Sequence, residues 1–183
     1  MMNFDNLFSV RGKVALVTGG SRGIGEMIAA GFVAGGAKVY ISSRKAETCE
    51  ATAQRISQEQ GGTCIALPAD LSRMDGVYSL AERLKAVEPK LDILVNNAGA
   101  AWGAPIESFP EIGWDKVMDT NVKAVFFLTQ QLLPLLRAAG AATGDGASPA
   151  RVINIGSIDG LKSAIFDTFS YGASKAAVHH LTR

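Results

Sequence analysis

The sequence contains little of what several classes of protein require. Only two cysteines, Cys49 and Cys64, and two histidines occur among 183 residues, so neither a disulfide framework nor a zinc site is expected. No run reaches the roughly 18 apolar residues that a membrane-spanning helix requires, and residues 1–5 lack the basic start of a signal peptide. The net charge of +1 provides no basic surface for nucleic acid or an anionic membrane. We expect a cytoplasmic protein with reduced thiols that acts on a small molecule or another protein.

What is present suits one folded domain. Hydrophobic residues make up 48% of the chain and charged residues 19%, and the length allows one buried core but not two ordinary domains. Short β-branched runs alternate with amphipathic stretches. The runs predict strands over residues 13–18, 38–42, 63–69, 91–95 and 151–155. The stretches predict helices over residues 23–34, 46–60, 72–87 and 112–138, and from about residue 168.

Local signals refine these helices. Ile24, Ile28 and Phe32 recur every fourth position, as on one face of the first helix, Ser72 can cap the third, and Pro134 is expected to bend or end the fourth. Residues 138–150 predict a surface connection. Strands that alternate with helices imply right-handed crossovers and a parallel sheet covered on both faces. We therefore expect a single α/β domain with a Rossmann-like, doubly wound sheet.

A glycine-rich turn follows the first strand. Residues Thr18–Gly25 read TGGSRGIG. Glycines permit backbone angles that are closed to other residues and let the main chain approach a pyrophosphate, which would lie at the positive end of the next helix. A glycine turn between a strand and a helix therefore predicts a nucleotide site.

The end of the second strand predicts which nucleotide binds. A carboxylate in residues 41–45 would hydrogen-bond the adenosine ribose of NAD, but the segment ISSRK contains none. Ser42, Ser43, Arg44 and the nearby Arg22 instead offer hydroxyls and guanidinium groups to a 2′-phosphate. We therefore expect NADP(H).

Tyr171 and Lys175 form a pair suited to proton transfer. They are four residues apart and share one face of the last predicted helix. A free tyrosine has a pKa of about 10, which is too high for ready proton exchange near neutral pH. An ammonium group close by stabilises the phenolate and lowers this pKa. The pair can therefore act in general acid–base catalysis.

These motifs together resemble the short-chain dehydrogenase/reductase superfamily. The glycine turn has the superfamily's GxxxGxG spacing, residues 96–99 read NNAG, and residues 171–175 read YxxxK. The resemblance spans essentially the whole chain and its landmarks occur in the superfamily's order.

The resemblance implies a catalytic tetrad of Asn121, Ser157, Tyr171 and Lys175. Ser157 would hydrogen-bond the substrate carbonyl and stabilise the developing alkoxide, while Tyr171 exchanges the proton. Lys175 would also hold the nicotinamide ribose. Asn121 would kink its helix and hold a water of the proton relay with its main chain. No metal is implied.

The resemblance also implies the cofactor contacts. Asp70 would contact the adenine amino group, Asn96 would steady the sheet, and small Ala98 and Gly99 would let the main chain lie against the cofactor. The expected cofactor-binding residues are Gly19, Ser21, Arg22, Gly23, Ile24, Gly25, Ser43, Arg44, Asp70, Leu71, Asn97, Ala98, Gly99, Tyr171 and Lys175.

The substrate is predicted from four segments. Residues 18–25, 96–103, 130–137 and 151–157 are most similar to the NADPH-dependent β-ketoacyl reductases associated with rhamnolipid synthesis, which implies reduction of a 3-oxoacyl thioester. A polyol or sugar-acid dehydrogenase of the same fold stays an alternative, as does a cofactor-binding or dimer-forming fragment without turnover.

Members of the superfamily are longer than 183 residues, so the resemblance implies an incomplete domain that lacks its last strands. Residues 1–120 are expected to form its dinucleotide-binding half and residues 121–183 its catalytic segment. At full length the protein is expected to be a homodimer or homotetramer.

Overall fold

Five parallel strands form one sheet in the computed structural model, which describes residues 8–141, 149–162 and 166–183. The strands are ordered β3-β2-β1-β4-β5, and Leu16 of central β1 lies opposite Tyr40 of β2 and Leu94 of β4. Because every neighbouring pair is parallel, the carboxyl ends of all five strands share one edge. The strand bounds are β1 (Val14–Thr18), β2 (Lys38–Ser42), β3 (Thr63–Ala66), β4 (Ile93–Asn96) and β5 (Arg151–Asn154).

Helices cover both faces of the sheet. They are α1 (Gly23–Ala34), α2 (Ala46–Gln60), α3 (Met74–Lys85), α4 (Glu111–Met118), α5 (Ala124–Ala141) and α6 (Phe169–Leu181). A leucine-rich cluster joins α3 and α5 to one face, and a cluster of smaller side chains joins α1 and α2 to the other. Leu16 belongs to the first cluster and its neighbours Ala15 and Val17 to the second, since successive strand residues point to opposite faces. The expected doubly wound α/β fold is confirmed.

The buried face of α1 differs from the one that its large apolar residues suggest. Gly25, Ala29 and Val33 are buried, whereas Ile24 is 57% exposed. A Cβ on Gly25 would lie 2.4 Å from the main-chain oxygen of Gly19. Helix α1 therefore lies so close to the turn after β1 that only a small side chain fits at that point of contact.

The long helix predicted over residues 112–138 is interrupted. A π-helical turn, Asp119–Lys123, separates α4 from α5, and π-helical turns are frequent at functional sites. Pro134 was predicted to bend or end this helix; it lies inside α5 and therefore does not end it. Of the predicted connection over residues 138–150, the first four residues belong to α5 and residues 142–148 lie outside the described part of the chain.

Two predicted boundaries after β2 also need correction. Strand β3 was predicted to reach residue 69 but ends at Ala66. Beyond it the chain still runs beside the end of β2, since the N–H groups of Leu67 and Ala69 donate to the main-chain oxygens of Ile41 and Ser43. Ser72 does not cap the next helix: α3 begins at Met74 with Arg73 in the capping position and without a side-chain cap. The Ser72 hydroxyl instead donates to Asp70 Oδ1 at 2.8 Å.

Cys49 and Cys64 are both buried and unbridged, as expected for reduced thiols. Burial raises the pKa of Cys64 to about 12. No helix in the described ranges is long and apolar enough to cross a membrane.

Candidate active site

A cleft of about 440 Å³ opens at the carboxyl-terminal edge of the sheet. Binding sites of doubly wound folds lie at this edge. Thirteen of the residues predicted to bind the cofactor line it, while Tyr171 and Lys175 do not. Those thirteen are Gly19, Ser21, Arg22, Gly23, Ile24, Gly25, Ser43, Arg44, Asp70, Leu71, Asn97, Ala98 and Gly99.

The glycine turn lines one side of this cleft with residues 19 and 21–25. Gly19 and Gly23 have φ angles of 65° and 56°, in the left-handed region that glycine adopts at little cost. Arg22 stands at the capping position of α1 and provides no side-chain cap. The first N–H groups of α1 therefore lack a capping side chain, and such groups can bind an anion at the positive end of the helix dipole.

Thr18 connects the glycine turn to the end of β4 through side-chain hydrogen bonds, a role that was not predicted from the sequence. Its buried hydroxyl donates to the main-chain oxygen of Val95 at 3.2 Å. The Thr18 Oγ1 atom also accepts from the main-chain N–H groups of Asn97 and Ala98, each at 3.0 Å. Asn97 completes the attachment by donating from Nδ2 to the main-chain oxygen of Thr18 at 2.9 Å. One hydroxyl thus sets the position of two cleft-lining residues.

The end of β2 fits a phosphorylated ribose. Ser42, Ser43 and Arg44 line the cleft together with Arg22. The Ser42 hydroxyl is buried and has no hydrogen-bond partner among the described residues, so this polar atom is available to a ligand. Cations and a free hydroxyl without an adjacent carboxylate are the donor set that a 2′-phosphate requires.

Asp70 lies in the wall of the cleft, beyond β3. Its Oδ1 accepts from both the main-chain N–H and the hydroxyl of Ser72, at 3.1 and 2.8 Å. This local turn explains why neither residue caps α3. Gly76 of α3 lies directly against this turn, because any Cβ there would lie 2.0 Å from the main-chain oxygen of Asp70.

Tyr171 and Lys175 lie on α6, as the four-residue spacing predicts. Lys175 Nζ is 5.7 Å from the centre of the Tyr171 ring and donates to the main-chain oxygen of Ile155 at 2.6 Å. Lys175 is only 6% exposed, and this burial lowers its pKa. The ammonium group is thereby held between the phenol ring and the end of β5.

Ser157 begins a 3₁₀ turn, Ile158–Gly160, that packs directly on α6. Its Oγ accepts from the main-chain N–H of Asp159 at 3.2 Å. A Cβ on Gly160 would lie 2.6 Å from the main-chain carbon of Lys175, so the turn touches the helix backbone. This contact brings Ser157 to the helix that carries the tyrosine and the lysine.

Asn121 lies at the centre of the π-helical turn and is 1% exposed. Its Oδ1 accepts from the main-chain N–H of Ala100 at 2.8 Å, and its Nδ2 donates to the main-chain oxygen of Ala100 at 2.9 Å. The side chain therefore fastens the π-helical turn to the segment that follows β4. That segment, Asn97–Ala100, also lines the nucleotide cleft.

Several cleft residues were not predicted. Lys116 and Thr120 occupy one face of the helix that leads to Asn121, at the spacing of one helical turn, and Lys116 Nζ lies 5.4 Å from the centre of a Trp102 ring. That spacing was the available signal. The others are neighbours in sequence of predicted residues, and the complete set is Ala69, Ser72, Ala100, Lys116 and Thr120. Within the described residues no cluster of His, Cys, Asp and Glu is arranged to hold a metal ion.

Comparison with known proteins gives a consistent set of relatives. The family model described as short chain dehydrogenase matches residues 13–183. The chain is 53% identical over 176 residues to the rhamnolipids biosynthesis 3-oxoacyl-(acyl-carrier-protein) reductase of Pseudomonas aeruginosa, covering 96% of this chain and 66% of the relative. It is 35% identical to the gluconate 5-dehydrogenase of Gluconobacter oxydans, over 100% of this chain and 67% of the relative.

Solved structures similar to this chain are of the same kind as its sequence relatives. The NADP active-site complex of RhlG from Pseudomonas aeruginosa has a TM-score of 0.87 and 53% identity, covering 95% of this chain and 66% of that one. The 3-oxoacyl (acyl-carrier-protein) reductase of Agrobacterium tumefaciens with NADP bound has a TM-score of 0.84 and 36% identity, covering 98% and 66%. The chain thus spans about two thirds of the length of these relatives.

Proposed function

Because the chain belongs to the short-chain dehydrogenase family, we propose that it reduces the keto group of a 3-oxoacyl thioester with NADPH. One observation carries the proposal. The segment Asn97–Ala100 contacts the glycine turn through Thr18 and the π-helical turn through Asn121. One backbone segment therefore lines the nucleotide cleft and also contacts Asn121, the residue of the predicted tetrad that lies beside α6.

Preference for NADP(H) is supported by the end of β2. Ser43, Arg44 and Arg22 line the cleft, the Ser42 hydroxyl is free to donate, and an acidic side chain that would repel a 2′-phosphate is absent from residues 41–45. The two structural relatives named above hold NADP. We propose that the guanidinium groups bind the 2′-phosphate and that the N-terminus of α1 binds the pyrophosphate.

The proposed mechanism assigns one task to each side chain. When bound, the reduced nicotinamide supplies hydride to the carbonyl carbon. Ser157 Oγ already accepts a hydrogen bond from Asp159, which leaves its own proton to donate to the carbonyl oxygen. Tyr171 gives its proton to that oxygen, and the buried ammonium of Lys175 stabilises the resulting phenolate. Asn121 holds the water through which the proton is replaced.

The acyl thioester is proposed because of the Pseudomonas relative, which is an acyl-carrier-protein reductase by name and shares 53% of the aligned residues. A sugar-acid dehydrogenase is the second candidate, since the 35% identical gluconate 5-dehydrogenase aligns over the entire chain. Comparing acetoacetyl-CoA with 5-ketogluconate as oxidant of NADPH distinguishes the two.

Turnover is tested by following NADPH absorbance with the purified chain and acetoacetyl-CoA. We expect oxidation that is lost on Tyr171→Phe and kept on Tyr78→Phe, which removes an exposed phenol from α3. Binding of NADPH without oxidation of any keto substrate would instead support a cofactor-binding fragment.

Cofactor preference has a separate test with a matched control. Arg44→Asp places a carboxylate in the cleft, and we expect NADPH to bind about 10- to 100-fold more weakly, since losing a charged hydrogen bond costs about 1.5–3 kcal/mol. Lys45→Asp makes the same change of charge at an exposed neighbour outside the lining and should have little effect. Equal losses in both variants would contradict the phosphate assignment.

We also propose that the protein is cytoplasmic and, at full length, assembles as a homodimer or homotetramer. Two unbridged, buried cysteines suit a reducing compartment. On α5, Phe126 and Leu133 are 49% and 36% exposed and line one depression together with Val152 and Leu181; contiguous exposed apolar patches mark interaction sites. Light scattering of the eluted protein measures the mass, and a monomer at all concentrations would contradict the assembly.

A further inference from the structure

Ser174 lies between the two residues of the Tyr171–Lys175 pair and is completely buried, with an exposed fraction of 0%. Its hydroxyl accepts from Asn121 Nδ2 at 2.9 Å and donates to the main-chain oxygen of Tyr171 at 2.7 Å. It is therefore bonded to both the π-helical turn and the first turn of α6. We propose that Ser174 is a positioning residue, which sets Asn121 against the Tyr171–Lys175 pair.

The hydroxyl completes the hydrogen bonding of the Asn121 amide. One Nδ2 proton goes to Ala100 and the other to Ser174, while Oδ1 accepts from Ala100. Ala100 already determines which way the amide faces. Ser174 therefore adds something else: it ties this amide to α6, an element that the bonds to Ala100 do not reach.

The Ser174 hydrogen bonds set the distance between Asn121 and Lys175, two parts of the proposed proton relay. Lys175 is fixed at its tip by the main chain of Ile155, and Asn121 is fixed at its side chain by Ala100. Ser174 links the two elements directly, next to Lys175 in the sequence. Misplacing catalytic groups by about 1 Å can cost up to about 100-fold in rate. Loss of the Ser174 hydrogen bonds should therefore slow the proposed proton relay. In this respect the inference rests on the proposed function.

Ser170 provides a matched control on the same helix. It is one turn earlier, is also 0% exposed, and its hydroxyl has no hydrogen-bond partner among the described residues. Ser170→Ala and Ser174→Ala therefore remove the same atom from equally buried sites. Only the second change leaves an amide proton of Asn121 unpaired.

The first readout is spectroscopic and needs no turnover. The side-chain amide signals of Asn121 in a nitrogen–proton spectrum are identified by their loss in Asn121→Asp. In Ser174→Ala, one of the two proton signals should shift and exchange faster with solvent, whereas Ser170→Ala should leave both unchanged. Unchanged signals in Ser174→Ala would overturn the inference.

The second readout is kinetic. We expect Ser174→Ala to lower kcat about 10-fold or more, with KM for NADPH unchanged and a larger solvent deuterium isotope effect, because proton replacement becomes slower. Ser170→Ala should change none of these quantities. In Asn121→Ala the further change Ser174→Ala should cost little, since residues that act as a unit are not additive.

The outcomes separate this inference from the proposed function. If the wild-type chain oxidises NADPH but Ser174→Ala has the kcat and isotope effect of wild type, the positioning role is wrong and the function stands. A loss of kcat that adds fully to that of Asn121→Ala also overturns it. If the wild type itself does not turn over, the proposed function fails and takes the catalytic role of Ser174 with it, while the amide signals still decide the hydrogen bond.

Discussion

Replacing Gly25 by alanine tests whether the close approach of α1 holds the glycine turn in place. The new Cβ would lie 2.4 Å from Gly19 O and from Asn97 Nδ2, roughly 1 Å inside the ordinary contact distance of about 3.5 Å. The Asn97 amide cannot easily yield, because Thr18 O holds it at 2.9 Å. Overpacking of this kind costs about 1–3 kcal/mol, and the better helix propensity of alanine returns about 1 kcal/mol.

We therefore expect Gly25→Ala to lower the free energy of unfolding by up to about 2 kcal/mol, and Tm by roughly 2–4 °C per kcal/mol for a chain of this size. Displacement of the turn should also weaken NADPH binding about 10-fold, which corresponds to about 1.4 kcal/mol. Urea denaturation and a fluorescence titration with NADPH measure the two quantities.

Gly31, further along the same helix, supplies the control. It is exposed, and outside the backbone of its own helix no heavy atom of the described residues lies within 4 Å of a Cβ placed there. Gly31→Ala should thus stabilise the protein by about 0.5–1 kcal/mol and leave NADPH binding unchanged. If Gly25→Ala behaves like Gly31→Ala in both assays, the crowded contact does not position the turn and the reasoning fails.

Three further predictions follow from buried polar groups. Thr18→Val leaves the main-chain N–H of Ala98 unpaired, while that of Asn97 keeps the main-chain oxygen of Val95 at 3.1 Å, and should cost about 1–3 kcal/mol in urea denaturation, whereas Thr18→Ser should restore most of the stability; equal losses would contradict the assignment. Burial alone would raise the pKa of Asp92, but a main-chain N–H of β1 and neighbouring ammonium groups outweigh it and lower the pKa. Its stabilisation is therefore present above about pH 4 and lost as the pH falls through the folded pKa, so Asp92→Asn should destabilise at neutral pH and converge with wild type in acid. Because burial raises the pKa of Cys64 to about 12, a thiol reagent should label it only as fast as the chain opens; rapid labelling of the native protein would refute its burial.

Local patterns predicted the parts of the fold that local forces decide. Strand β2 and helix α2 have the predicted bounds, because a β-branched run and a glycine stop at Gly61, whose φ is 64°, act over neighbouring residues. Periodicity placed Ile24, Ile28 and Phe32 on one face of α1, and Ile28 and Phe32 do pack partly against the core. It did not indicate that Gly25 is buried, because the pattern weighs only large side chains. The resemblance implied that Asn121 kinks its helix, but the π-helical form of the interruption was not predicted, since the Asn121 side chain binds partners distant in sequence.

Hydroxyl groups were the least predictable members of the site. Thr18 precedes the glycine turn and Ser174 lies inside YxxxK, so both stood in motifs whose other residues were assigned roles. The bond from Asn97 to Thr18 spans 79 residues, and the bond from Asn121 to Ser174 spans 53. A serine or threonine in a motif shows that a hydroxyl is present, but its hydrogen-bond partners are seen only in the tertiary structure.

The segment Asn97–Ala100 explains why nucleotide binding and catalysis are expected to respond together. Its first two N–H groups are bound by Thr18, and its last residue is bound on both sides by the Asn121 amide. Between them the chain has no side chain larger than a methyl group, so little else fixes its path. A change at either end therefore moves backbone that lines the cleft. This predicts that Thr18→Val, which touches no tetrad residue, lowers kcat as well as NADPH affinity, and an effect on affinity alone would show that the segment does not couple them.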